Sequence, residues 1–123
     1  MGLFGKIFSN KKKEEDLNKR GQIKRLATSK LKKINNIRLI EKRFEEFVSF
    51  FRIFIEKTFH IKKNFTYEEL KKELKNKRIK RTAKTKIRDL LLDIYEIEFK
   101  GQKITKEKMN KMMEKFKEVI ELI

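Results

Sequence analysis

Apolar residues recur every three or four positions from about residue 22 onward, which is the spacing of one helix face. Asn35 and Asn36 interrupt the repeat, so the segment forms either one long helix or two that meet there. The favoured interpretation is a helix over about 37–60, preceded by a more loosely held one. Phe50 and Phe54 widen the apolar arc, which predicts a central helix covered on two sides. The main stripe consists of Ile23, Leu26, Ala27, Leu31, Ile34, Ile37, Ile40, Phe44, Phe47, Val48, Phe51 and Ile55.

Local signals place three further helices in the second half. Thr66 and Glu69 stand at the positions of a capping box, with Phe65 and Leu70 placed to pack as a hydrophobic staple. The helix that follows is predicted to stop near Asn76. The next helix has Thr82 or Thr85 as its cap and Gly101 at its end, and Thr105 caps the last helix. The buried faces of these two helices comprise Ile87, Leu90, Leu91, Ile94 and Ile97, then Met109, Met112, Met113, Phe116, Val119 and Ile120.

No convincing alternating run predicts a strand. The sequence therefore predicts an all-α protein, a small bundle of four or five helices with a flexible, amphipathic N-terminal tip. We expect residues 1–20 to form the tip and a basic linker, and residues 21–123 to form the helical domain.

Residues 60–123 resemble a known family. The segments are Phe65–Leu74, Ile87–Leu91 and Tyr95–Glu107, followed by an amphipathic helix. Together they resemble the small helical cytoplasmic tail domain of bacterial and archaeal membrane proteins of unknown function, some with transglutaminase-like or BatD-type domains. Phe99, Gly101 and Thr105 match its aromatic-x-Gly-x-x-x-Ser/Thr loop. The resemblance implies a helical fold beside a membrane and no catalytic residues, although this chain lacks the transmembrane span and is more basic.

The residue inventory argues against catalysis. Cysteine is absent, His60 is the lone histidine, and no serine lies in a nucleophile motif or glycine in a phosphate loop. Asp89 and Asp93, four residues apart, could share a cation, but a solvated helix face is the preferred interpretation. We expect no enzyme, metal, cofactor or small-molecule substrate. No apolar run spans a bilayer and no secretory signal is present, so a cytoplasmic location is expected.

The formal charge of +17 is concentrated in two stretches. Residues 19–43 hold ten Lys and Arg against one acid, and residues 75–88 hold eight and no acid. Lysine outnumbers arginine 27 to 8, which is typical of the codon bias of a low-GC genome. Part of this charge could therefore be ordinary solvated surface with no binding role. The alternative is phosphate-backbone binding, which would be non-specific and sensitive to salt. Its residues would be Lys77, Arg78, Lys80, Arg81, Lys84 and Lys86.

The first thirteen residues join an apolar tip to basic residues. Leu3, Phe4, Ile7 and Phe8 recur at helical spacing. Basic residues beside such a group favour an anionic lipid surface. The membrane-contact residues would be Leu3, Phe4, Lys6, Ile7, Phe8, Lys11, Lys12 and Lys13. Docking of the tip on the helical body, or an unbound tip, are the alternatives.

The hypothesis that follows is a non-enzymatic adaptor on the inner face of the membrane. Its tip binds anionic lipid and its helical body binds a protein partner. One alternative is a basic protein that binds nucleic acid. Another is a structural subunit of a larger complex, for which the aromatic arc around Phe50 and Phe54 would be the contact surface.

Overall fold

The computed structural model describes the backbone of residues 16–123 and the side chains from residue 21 onward. Within that range the chain forms helices and no strand, which confirms the predicted all-α bundle. The described helices are α1 (Asp16–Asn35), α2 (Ile40–Phe59), α3 (Tyr67–Lys75), α4 (Arg81–Phe99) and α5 (Lys106–Leu122). The predicted N-terminal tip, residues 1–8, lies outside the described residues.

Helix boundaries in the second half follow the capping chemistry. Thr66 Oγ1 accepts from the amide of Glu69 at 3.1 Å, and the Thr66 amide donates to Glu69 Oε1 at 2.8 Å. Thr105 Oγ1 accepts from the amide of Lys108 at 3.1 Å. Gly101, two residues past the end of α4, has a φ of +67° that other L-residues rarely adopt. The caps predicted at residues 66 and 105 and the stop at Gly101 are confirmed.

The predicted cap of α4 is wrong. Lys80 is the N-cap residue, and its side chain makes no capping hydrogen bond. Thr82 therefore lies inside the first turn, and Thr85 Oγ1 instead accepts from the Arg88 guanidinium at 3.4 Å. The helix starts before either threonine because Ala83 and Ile87 pack into the core and hold the first turn in place. Burial, rather than a cap, sets this boundary.

The core centres on Phe116 of α5. Phe47, Phe50, Phe51 and Phe54 of α2 surround its ring edge-on, with centroids 5.2–5.6 Å away. Such edge-to-face pairs add about 0.5–1.5 kcal/mol each beyond burial. Phe50 and Phe54 are 2% and 0% exposed, so the wide arc of α2 is covered, as predicted for a central helix. The arc is consequently not an open contact surface for a larger complex.

Helix α1 belongs to the core more firmly than expected. Its buried face, Ile23, Ala27, Leu31 and Ile34, is at most 7% exposed. The helix also begins at Asp16, within the segment predicted to be a linker and before the domain boundary predicted after residue 20. The four-residue connection to α2 is held by Arg43, whose guanidinium donates twice to the carbonyl of Ile37, at 2.9 and 2.7 Å.

Helices α1 and α4 flank α5, and both run antiparallel to it. On one side, Lys24 Nζ of α1 donates to the carbonyl of Glu121 at 3.3 Å. Further along, Leu31 and Asn35 share a cleft of about 420 Å³ with residues 110–117 of α5. On the other side, Lys86 pairs with Glu118, while Asp93 pairs with Lys108 and Lys115. Helices α1 and α4 are therefore parallel to each other, and their N-termini lie at the same end of the bundle.

Candidate functional site

Cations from two basic stretches that are far apart in sequence lie at the same end of the bundle, where α1 and α4 begin. Both helices pack on α5, and the axes of packed helices lie about 8–10 Å apart. The axes of α1 and α4 are therefore about 20 Å apart at most. We call this group of side chains the basic end. It consists of Lys24 and Arg25 near the start of α1, and Arg78, Lys80, Arg81 and Lys84 at the start of α4. Within the described chain none of these side chains forms an ion pair.

Two of the six residues predicted to contact phosphate are engaged within the protein. Lys77 lies 3.8 Å from Glu73 one turn earlier, and Lys86 lies 2.8 Å from Glu118 across the α4–α5 contact. Arg78, Lys80 and Arg81 are exposed. The fold thus separates the predicted set into four available cations and two that neutralise carboxylates.

The start of α4 adds backbone polarity to the basic end. The first amides of any α-helix have no partner within the helix, and the helix dipole gives them a partial positive charge. In α4 no side chain caps them, and no Asp or Glu lies in the first turn. The carboxylate of α5 that pairs with α4 near its start is Glu118, which Lys86 neutralises. The positive charge at the start of α4 is therefore only partly compensated.

The predicted membrane-contact residues, Leu3, Phe4, Lys6, Ile7, Phe8, Lys11, Lys12 and Lys13, lie outside the described residues. Their point of attachment is defined, because the chain enters the bundle at Asp16. That residue begins α1 at the basic end. Covalent continuity therefore joins the apolar-basic segment to the same end of the bundle that carries the available cations of α1 and α4.

Of the two carboxylates considered for a cation, Asp93 is already engaged by lysines. Asp93 Oδ1 lies 3.2 Å from Lys108 Nζ, and Asp93 Oδ2 lies 3.1 Å from Lys115 Nζ, so Asp93 ties α4 to two turns of α5. Asp89 is exposed and forms no ion pair with the side chains of residues 21–123. In residues 16–123, no three His, Cys, Asp or Glu side chains cluster closely enough to hold a metal ion. His60 is exposed and ends α2 in the left-handed conformation at φ 56°.

Sequence reasoning missed the second unusual surface, which lies on α4. Leu92 and Phe99 are 42% and 76% exposed, and the Tyr95 ring lies 5.3 Å from that of Phe99. Their spacing of three and four residues was visible in the sequence. It was obscured because the stronger repeat of the same helix, around Leu90 and Leu91, already accounted for a buried face.

The described part of the chain is thus a small α-helical bundle with one basic end and one exposed apolar stripe. Compared with known proteins, the chain matches no family model, no curated protein and no solved structure. None of the helices between residues 16 and 123 combines the length and apolarity needed to cross a bilayer. Function must therefore be inferred from the residues themselves.

Proposed function

We propose that this chain is a non-catalytic adaptor that binds anionic membrane surfaces through two elements together, residues 1–13 and the basic end. The observation that carries the proposal is their convergence. The cations near the starts of α1 and α4 lie at the same end of the bundle, and the chain enters the bundle from residues 1–13 at that end. A lipid surface could contact residues 1–13 and the cations of both helix starts at once.

The magnitudes explain why both elements are needed. Burying a Leu, Ile or Phe side chain fully gains about 1.5–3 kcal/mol, and an interfacial position captures only part of that. A single short apolar anchor therefore gives marginal, reversible binding, and stable attachment takes a second signal such as a basic patch. Each Lys or Arg close to an anionic surface adds about 1 kcal/mol. The cations of the basic end would supply that second signal.

Flotation with lipid vesicles tests the proposal. The full chain is expected to float with vesicles of phosphatidylcholine and phosphatidylglycerol, and to float poorly with phosphatidylcholine alone. Changing Arg78, Lys80, Arg81 and Lys84 to Gln should weaken binding at least tenfold, since about 1 kcal/mol is lost per cation. Deleting residues 1–13 should weaken it comparably.

A matched control separates the effect of where the cations lie from the effect of total charge on lipid binding. Lys100, Lys103, Lys106 and Lys111 are exposed and lie in the loop after α4 and the first half of α5, away from the basic end. Changing these four to Gln removes the same charge and should leave most of the binding intact. Equal losses in the two quadruple variants would show that only net charge matters. Undiminished flotation after deletion of residues 1–13 would also refute the proposal.

Non-specific nucleic-acid binding is the second candidate, and the uncapped start of α4 favours it. Three exposed cations surround amides that can donate to phosphate oxygens. Such binding should fall steeply with salt because counterions are released. Changing Leu3, Phe4, Ile7 and Phe8 to Ser distinguishes the two candidates, because it keeps every cation. Mobility shifts on a duplex should then persist, whereas flotation should fall.

The protein partner of the adaptor and its cytoplasmic location remain predictions. A membrane-adjacent position would agree with the resemblance of residues 60–123 to a cytoplasmic tail domain of membrane proteins. Capture from a membrane fraction of the native cell, with the full chain and with the Gln variant of α4, tests both. Recovery only from the fraction without membranes would contradict the membrane-adjacent position.

A further inference from the structure

The two most exposed large apolar side chains of residues 21–123 lie at the end of the bundle opposite the basic end. Leu39 is 69% exposed and directly precedes α2, and Phe99 is 76% exposed and ends α4. Because α1 and α4 both begin at the basic end, the connection after α1 and the last residue of α4 both lie at the other end. We call that end, residues 32–42 and 98–107, the far end.

The exposed charges of the far end are mainly positive. Its two segments hold seven Lys and Arg and three Glu, and all of these side chains are exposed. The acids are Glu41, Glu98 and Glu107, and no charged side chain of the far end forms an ion pair within the described chain. The far end thus combines exposed apolar side chains with an excess of positive charge.

This combination fits an anionic lipid surface. Separate apolar side chains among long cationic ones enter the headgroup region while the cations meet lipid phosphates. A protein interface instead has an apolar core that is depleted of charged residues, whereas Leu39 and Phe99 border different helices and each has charged neighbours. Residues 1–13 fit poorly as the occupant, since they hold four lysines and no acid and are repelled by a positive surface.

The length of the bundle separates the far end from the basic end. Helix α4 has 19 residues, so at about 1.5 Å per residue its two ends are about 28 Å apart. A chain that stands on a membrane through residues 1–13 and the basic end therefore holds Phe99 well away from that membrane. A bundle lying along α1 leaves Phe99 out as well, because α1 and α4 flank α5 on different sides. A bundle lying along α4 brings the exposed carboxylate of Asp89 against anionic lipid.

We propose that the far end binds a second anionic membrane surface, so that one chain links two membranes. The inference rests on the proposed function, because attachment through residues 1–13 and the basic end is what turns the far end away from the first membrane. Leu39 and Phe99 enter the second lipid surface, and the surrounding cations face its headgroups.

Capture of protein-free vesicles by a coated bilayer tests the link. A supported bilayer of phosphatidylcholine and phosphatidylglycerol is coated with the full chain and washed, and fluorescent vesicles without protein are then added. Vesicles that contain phosphatidylglycerol should be captured, and vesicles of phosphatidylcholine alone should not. Because the added vesicles bring no protein, association between chains on opposing membranes does not explain such capture.

The double variant L39S/F99S keeps every charge and removes the two apolar contacts of the far end. At an equal amount of chain on the bilayer it should capture at least tenfold fewer vesicles, because stable attachment needs an apolar and an electrostatic contact together. The control L92S changes a side chain of α4 that is 42% exposed and lies outside the far end, so it should capture vesicles normally. All three side chains are exposed, so folding should change little.

The outcomes separate this inference from the proposed function. A full chain that coats the bilayer normally and captures no vesicles would overturn the link and leave flotation, and with it the proposed function, intact. Undiminished capture by L39S/F99S would overturn it too, since net charge would then be the cause, and so would equal capture of phosphatidylcholine vesicles. A full chain that does not coat the anionic bilayer overturns the proposed function and this inference together.

Discussion

Helices α3 and α4 are neighbours that pack on each other, yet their charges are arranged in opposite ways. Helix α3 has a capping box, Glu68 and Glu69 in its first turn, and Lys72 and Lys75 in its last turn. This order complements the helix dipole, which favours acids near the N-terminus and bases near the C-terminus. Helix α4 has no cap, no acid in its first turn and no base in its last turn.

The contrast indicates that the charges at the two ends of α4 do not stabilise the helix. Cations at a helix N-terminus and carboxylates near its C-terminus each cost about 0.3–1 kcal/mol when exposed. Helix α4 tolerates that cost because its buried face, around Ile87, Leu91 and Ile94, holds it in the bundle. Charges that oppose helix stability are more readily explained by contacts outside the bundle, which is the reason to relate the cations at the start of α4 to an anionic lipid surface.

The largest effect is expected from the shared core rather than from the charges of either helix. Phe116→Ala removes the ring that four phenylalanines of α2 surround, and should lower the free energy of unfolding by about 3–5 kcal/mol. Phe99→Ala is the control, because its side chain is 76% exposed and should change stability by no more than about 0.5 kcal/mol. Urea unfolding of both variants measures this. Similar losses would contradict the assignment of Phe99 to the outside.

A smaller loss of stability is expected at Asp93, the acid in the second half of α4 that forms ion pairs within the described chain. Asp93→Asn weakens contacts to Lys108 and Lys115, and Asp93 is 17% exposed through its side chain. Since the lysines are partly solvated, we expect about 1–2 kcal/mol. Asp89→Asn, one turn earlier and with no ion pair in the described part of the chain, should be neutral. Equal unfolding midpoints for the two variants would show that the α4–α5 ion pairs contribute nothing.

A gain of similar size is expected where α4 lacks a cap. Lys80 already has the extended backbone of an N-cap residue, with φ −63° and ψ 144°. Lys80→Asp supplies a side-chain acceptor and should stabilise the chain by about 1 kcal/mol, whereas Thr66→Ala should destabilise α3 by about as much. Thermal unfolding measures both. The same Lys80→Asp variant should bind anionic vesicles less well, so a variant that is more stable yet binds lipid as before would break the link between the uncapped start and function.

The smallest effect is expected from the charge of Glu69 in α3. The hydrogen bond from Lys62, followed by that from the Thr66 amide, lowers the pKa of Glu69 below its ordinary value of 4.5. A carboxylate with a lowered pKa in the folded state stabilises the fold above pH 4.5, and this contribution is lost as the pH falls through the lowered pKa. Glu69→Gln should therefore be less stable than the native chain at neutral pH and approach it under acid.

Glu68→Gln is the control for this measurement. Glu68 is exposed and makes no ion pair in the described chain, so its replacement should shift the whole pH profile little. Parallel acid unfolding curves for the native chain and Glu69→Gln would show that the Lys62 contact, at 2.7 Å, does not act on stability.

Much of the fold was predictable because it depends on local chemistry. The N-caps and the apolar repeats each involve residues within four positions of one another, so Thr66, Thr105 and the face from Met109 to Ile120 could be assigned from spacing alone. The start of α4 could not, because Ala83 and Ile87 fix it by packing against distant helices. Neither could the role of Phe50 and Phe54, whose partner Phe116 lies about sixty residues away.

By itself, the sequence determined an all-α bundle, most of its helix boundaries and its buried faces, because helix propensity, capping and periodicity act over a few residues. Only the tertiary structure decided which charges are available. It paired Lys86 with Glu118 and Asp93 with two lysines, and left Arg78, Lys80 and Arg81 exposed. It also brought the starts of α1 and α4 to one end and left Leu92 and Phe99 uncovered. These outcomes depend on how the helices pack side by side. Packing brings together residues that are far apart in the sequence, and no local sequence pattern indicates which of them will meet.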